Sequence, residues 1–207
     1  MKDFSKYSAI IIGAGDATGT ALTKKFASHG YKVCPVRRPR NIDKLNILSE
    51  EINKSGGWSK GFGVDARDEE AVKQLFIDVE EKVAPIHVVI FNPGANVFFP
   101  IEETTSRVFK KVWEMATFAG FLVGRESAKH MKNKGTIIFT GATASLRGSS
   151  GFSAFSSAKF GLRALAQSLA RELGPLGIHV VHTIIDGAID HPWIKENFPD
   201  TYKLKAV

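Results

Sequence analysis

Apolar runs of strand length alternate along the chain with longer stretches whose apolar positions recur at helical spacing. The runs predict strands at Ser8–Ile12, Lys32–Val36, Lys60–Val64, His87–Phe91, Thr136–Thr140 and His179–Ile184. The longer stretches predict amphipathic helices near Thr18–Ser28, Asp43–Lys54, Asp68–Lys82, Arg107–Lys132 and Ala154–Leu173. The strands are almost continuously apolar, the pattern of a parallel sheet covered by helices on both faces. Strand–helix repetition with right-handed crossovers then gives an α/β fold, a doubly wound parallel sheet in three layers (α/β/α). Ligands bind such a sheet beyond the carboxyl ends of its strands. No repeat, linker or low-complexity stretch divides the 207 residues, so a single domain over 1–207 is expected.

Composition adds little to this picture. A hydrophobic share of 43% and a charged share of 24% are ordinary for a soluble globular chain. No apolar run reaches the length of a membrane span, and Met1–Lys6 lacks the apolar core of a secretion signal. The single cysteine, Cys34, stands in an apolar run and reads as a buried, inert thiol in a reducing, cytoplasmic setting. No metal site is expected. The net charge of +7 raises the question of nucleic acid, but Lys24-Lys25, Lys110-Lys111 and Lys132/Lys134 read as solvated charge on helix faces. No aromatic–basic interleaving supports nucleic-acid binding. The exception to the scatter is Arg37-Arg38-Pro39-Arg40.

After the first strand comes Gly13-Ala14-Gly15-Asp16-Ala17-Thr18-Gly19, which opens a helix. Glycines there allow unusual backbone angles and close backbone approach, and a helix N-terminus presents unbonded amides to a pyrophosphate. A glycine cluster alone is a weak signal; between a first strand and an amphipathic helix it becomes a strong one. Arg37 stands eighteen residues after Gly19, at the end of the second strand. An acidic residue there would hold a ribose 2′-hydroxyl, whereas an arginine suits a 2′-phosphate, and Arg38 adds a second bidentate donor. NADP(H) is therefore expected over NAD(H), although Asp16 inside the turn is a negative charge that opposes it.

With these residues in hand, the chain resembles the short-chain dehydrogenase/reductase superfamily over essentially its whole length, which implies a Rossmann fold. The family's Thr-Gly-x-x-x-Gly-x-Gly turn is similar to Ile12–Gly19, with Ala17 where the middle glycine belongs. The resemblance puts the family's adenine-contacting Asp at Asp65, followed by Ala66. Its Asn-Asn-Ala-Gly segment, which packs on the adenosine ribose, falls at Asn92-Pro93-Gly94-Ala95. It implies further cofactor contacts at Asp186, Gly187 and Ile189, where relatives carry Pro-Gly.

The catalytic pattern is broken. The family's Asn, Ser, Tyr and Lys fall by spacing on Thr117, Ala142, Phe155 and Lys159, so the lysine alone is kept. In the parent mechanism the tyrosine relays a proton, the serine holds the substrate oxygen, and the lysine lowers the phenol's pKa and binds the ribose. Such acid–base help is worth about 10²–10⁴-fold. Lys159 lies one helical turn beyond Phe155 on the same face and is expected to reach the ribose. Thr117, Thr140 and Thr143 can hydrogen-bond a carbonyl but are poor acids. His191, at the place of a threonine near the carboxamide, is of a type able to exchange a proton near neutral pH but reads as a surface histidine. His130 and His179 read as remote. Dienoyl-CoA reductases are relatives that reduce activated alkenes without the tyrosine.

Two functions follow from the resemblance: an NADP(H)-dependent oxidoreductase for a small carbonyl or activated alkene, or a catalytically silent NADP(H)-binding sensor or scaffold. The substrate itself is not legible. Ile194–Val207 corresponds to the start of the family's substrate-covering loop, and the helix and seventh strand that follow it in relatives have no residues here. The chain is then a short or truncated form, with the apolar positions those elements cover exposed or buried by a partner. Relatives pair their fifth and sixth helices in dimers and tetramers. Phe160, Leu162, Leu165, Leu169 and Leu173 offer more apolar surface than one sheet face needs, so a homodimer or homotetramer is expected.

Overall fold

The computed structural model describes residues 3–94, 96–131, 134–187, 189–190, 192–197 and 199–205. Its centre is strand β1, Ser8–Ile12, whose five residues are all buried, as the unbroken apolar run requires. β1 pairs in parallel with β2 (Lys32–Arg37) on one side and with β5 (Ile86–Phe91) on the other. Beyond β5 lie β6 (Gly135–Ala142) and β7 (Ile178–Ile185), also parallel. Beyond β2 lie two fragments, β3 (Trp58–Ser59) and β4 (Phe62–Gly63), both paired with β2. The chain thus runs outward from β1 to one edge, then crosses back to β5 and runs to the other. That reversal opens a crevice beyond the ends of β1 and β5.

The edge strand expected at Lys60–Val64 is corrected to β3 and β4. At Gly61 the chain presses on the helix below, where a Cβ would come within 2.7 Å of the Leu45 Cβ, and the ladder breaks there.

Alternate residues of the central strands feed two cores. Ile10 and Ile12 join Val36, Phe91 and Phe139 under α3 (Glu69–Lys82), α5 (Ala119–His130) and α6 (Ser153–Leu173). Ala9 and Ile11 join Val33 and Ile90 under α1 (Thr18–Ser28) and α2 (Ile42–Lys54). This is the doubly wound, three-layer α/β sheet that the hydrophobic pattern predicts.

The long helix expected at Arg107–Lys132 is α4 (Ser106–Trp113), a π-helical turn at Glu114–Phe118, and α5; Lys132 lies outside the described residues. Within that wider turn the Thr117 hydroxyl donates to the Ala158 carbonyl on α6 at 2.7 Å. The apolar excess expected on α6 is also corrected. Leu162 and Leu173 are buried and Leu165 and Leu169 pack against the core, which leaves Phe160 exposed among the five. On β7, Ile184 is 41% exposed. The described chain ends in α7 (Pro192–Asn197) and α8 (Pro199–Lys205). No helix of the described residues is long and apolar enough to cross a membrane.

Candidate functional site

The turn after β1 is stapled to both neighbouring strands. Gly13, at φ +81°, and Ala14 donate their amides to the Val36 carbonyl at 3.0 Å, while Asn92 Nδ2 donates to the Gly13 carbonyl at 3.1 Å. A Cβ on Gly13 would also press on Pro93 N at 3.0 Å. At Gly19 a Cβ would meet Ala14 Cα and Gly13 O at 2.5 Å, so α1 sits directly on the turn. Gly15 differs from both. A Cβ there would meet no protein atom nearer than Gly13 O at 4.0 Å, so the fold does not require its bareness.

The head of α1 is uncapped. Ala17 has no side-chain acceptor for the first-turn amides, and no acidic residue lies in that turn, whereas α3 and α4 are capped by Asp68 and Thr105. Bare floor and uncapped helix head both suit an anionic ligand.

Here the crevice widens into a cleft of about 560 Å³. Of the residues expected to hold a cofactor, Gly13, Gly15, Asp16, Ala17, Thr18, Gly19, Arg37, Arg38, Asp65, Ala66, Asn92, Pro93, Gly94 and Ile189 line it. Asp186 and Gly187 do not; Asp186 instead accepts a hydrogen bond from the Thr143 hydroxyl. Ala95 lies outside the described residues. Asn41, Arg67, Met115 and Ile194 line the cleft without having been expected.

Three ion pairs, made by two carboxylates, set its electrostatics. Asp16, expected as a negative charge opposing a phosphate, is held by Arg37 Nη1 at 2.7 Å and by Lys44 Nζ at 3.0 Å. Hydrogen bonds from Lys44 first and Arg37 second keep its carboxyl below the usual range. Asp65 is spanned by Arg67, whose Nε and Nη2 donate at 2.9 and 2.5 Å, which also lowers its carboxyl. The flat Arg67 guanidinium thus stands at the cleft wall, a surface on which an aromatic ring can stack.

At the other end, Lys159 is 3% exposed and outside the cleft lining; its ammonium donates to the carbonyls of Thr140 at 2.9 Å and Pro93 at 3.2 Å. The amine thus satisfies two strand-end carbonyls. Burial lowers its pKa to about 8. Phe155 is buried beside it, and Phe152 and Phe98 continue the aromatic series at centroid spacings of 6.4 and 5.3 Å. Thr117 spends its hydroxyl on Ala158, and the Ala142 amide donates to the buried Ser145 hydroxyl. Sequence reasoning missed His182, which packs its ring against Gly141; its Nε2 is buried without a hydrogen-bond partner, and burial lowers its pKa. His130 pairs with Glu80 and His179 is exposed on β7; His191 lies outside the described residues.

A switch-point crevice with a glycine floor, an uncapped helix head and arginines at the end of the next strand defines the class of dinucleotide-binding α/β proteins. Residues 7–201 match the family described as short chain dehydrogenase, and the chain belongs to that family of NAD(P)-binding oxidoreductases. It is 51% identical to a crystallised short-chain dehydrogenase from Rhodopseudomonas palustris, with a TM-score of 0.82 over 96% of this chain and 92% of that one. It is 30% identical to sorbitol-6-phosphate 2-dehydrogenase of Escherichia coli (strain K12), over 92% of this chain and 75% of that protein. The uncharacterized oxidoreductase YuxG of Bacillus subtilis (strain 168) is 29% identical over 90% of this chain, which spans 28% of YuxG.

Proposed function

We propose that the protein is an NADP(H)-dependent oxidoreductase acting on a small carbonyl or an activated alkene, with a proton route that does not use the family's tyrosine. The observation that carries this reading is the bare Gly15 floor sharing one cleft with Arg37 and Arg38. When bound, the dinucleotide supplies hydride from its nicotinamide. The Thr18 and Gly19 amides at the head of α1 would hold the pyrophosphate, Arg37 and Arg38 would hold the 2′-phosphate, and Arg67 would flank the adenine. Phe155 and Ala142 present no hydroxyl at the reacting end. An alkene conjugated to a carbonyl suits such a wall, because hydride added at carbon leaves an enolate that water can protonate.

The test is NADPH oxidation by the pure protein against a panel of ketones, aldehydes and enones. Enone turnover above ketone turnover supports the reading, and no turnover across the panel overturns it. We place the protein in the cytoplasm, consistent with its buried lone thiol. A homodimer or homotetramer through α4, α5 and α6 is supported by Phe109, Trp113, Phe121 and Phe160, each 39–43% exposed. A monomer by light scattering would contradict that arrangement.

A further inference from the structure

Asp16 is built into the turn between β1 and α1, yet its carboxylate points across the cleft rim to the cations of the next β–α unit. Both oxygens are used: Oδ1 accepts from Arg37 Nη1 at 2.7 Å and Oδ2 from Lys44 Nζ at 3.0 Å. The turn cannot drift away from these partners, because the Gly13 and Ala14 amides are bonded to the Val36 carbonyl, one residue before Arg37. Arg37 is the more enclosed of the two cations, its side chain 17% exposed, while Asp16 and Lys44 are about half open to solvent. An anion that two cations grip at a cleft rim can be displaced by a stronger one in the same place. A phosphate monoester carries more charge and more acceptor oxygens than a carboxylate and fits the guanidinium fork as well.

We infer that Asp16 is an internal occupant of the 2′-phosphate position, and that its exchange with that phosphate sets how strongly the cleft distinguishes a 2′-phosphorylated from an unphosphorylated adenosine dinucleotide. This rests on the NADP(H) reading above and adds two residues to it, Asp16 as the competitor and Lys44 as the second cation released to the ligand. Without a 2′-phosphate, Asp16 keeps Arg37 and Lys44 neutralised and leaves a carboxylate able to accept from a ribose 2′-hydroxyl. With one, Asp16 swings into solvent, and part of the ligand's attraction goes to breaking two exposed ion pairs. The chain therefore binds both cofactor forms, with a preference held below what Arg37 and Lys44 alone would give. Hydrogen bonds from those cations keep the Asp16 carboxyl ionised throughout the neutral range, so the competition does not fade there.

The experiment is calorimetric titration of NADPH, NADH and 2′,5′-ADP into the wild-type chain, Asp16→Asn and Lys44→Met. Asp16→Asn is expected to tighten NADPH and 2′,5′-ADP by about five- to tenfold while leaving NADH within about twofold. Lys44→Met is expected to weaken the two 2′-phosphorylated ligands by about threefold and NADH little. If Asp16→Asn leaves the NADPH/NADH ratio unchanged while the wild type prefers NADPH, the inference fails and the NADP(H) reading stands. If the wild type prefers NADH and Asp16→Asn moves the ratio toward NADPH, the inference stands and that reading fails. A wild type that binds none of the three overturns both. A circular-dichroism melt of each variant confirms that the comparison is between folded proteins.

Discussion

The Lys159 ammonium lies 5.9 Å from the centre of the Phe155 ring, a cation held against a side chain that can take no proton from it. The two residues are one helical turn apart on α6, and both are buried. The lysine is balanced by the carbonyls of Thr140 and Pro93, with no carboxylate bonded to it among the described residues.

That environment has a consequence for stability. Burial lowers Lys159 from 10.5 to about 8, so between those values the unfolded chain holds a proton that the folded one has released. Stability contributed by this group therefore rises with pH across that window, and the penalty is complete below its lower limit. Relative to Lys159→Met, the wild type is expected to gain about 2–3 kcal/mol between about pH 7.5 and about pH 10.5. Urea unfolding of both proteins at the two pH values measures it. A constant difference would mean that the amine is solvated.

Adding hydroxyls at Phe155 and Ala142 tests the proposed reacting end. Phe155→Tyr with Ala142→Ser places a phenol one turn from Lys159 and is expected to raise kcat/KM for a ketone by about 10²-fold, the low end of acid–base catalysis. The dissociation constant for NADPH should stay within about twofold, because neither position lines the cleft. A fall in kcat/KM would show that the native chain has its own proton route through this wall.

The two turn glycines should separate binding from folding. Gly15→Ala puts a methyl group where no protein atom stands, so the melting temperature should hold while dinucleotide affinity drops by about tenfold or more. Gly19→Ala drives a Cβ to within 2.5 Å of backbone atoms of the turn and is expected to cost about 2 kcal/mol or more of stability. Thermal melts and NADPH titrations of the pair check both halves.

Thr117→Val removes the hydroxyl that ties the π turn to Ala158 and leaves that carbonyl without this donor. A loss of about 1–2 kcal/mol in urea unfolding is expected. An unchanged midpoint would make the π turn independent of the contact.

Cys34 is fully buried, and burial pushes its thiol up to about 12. It should resist a thiol reagent at neutral pH until denaturant is added, and its reaction rate should then follow unfolding. Rapid modification of the folded protein would contradict the packing of β2.

The amino-acid sequence alone determined the order of elements, five of six strand positions and the glycine turn after the first strand. Those are local signals: an apolar run such as Ser8–Ile12 or a glycine spacing such as Gly13–Gly19 is written in neighbouring residues. What the tertiary structure decided are side-chain partnerships across long separations. Asp16 read as a negative charge opposing a phosphate until the fold brought it to Arg37, 21 residues on, and Lys44, 28 residues on. Lys159 carried the expected spacing, but its amine turned toward Thr140 and Pro93, because buried carbonyls at strand ends need donors that periodicity cannot assign. The break at Gly61 likewise depends on the distant Leu45.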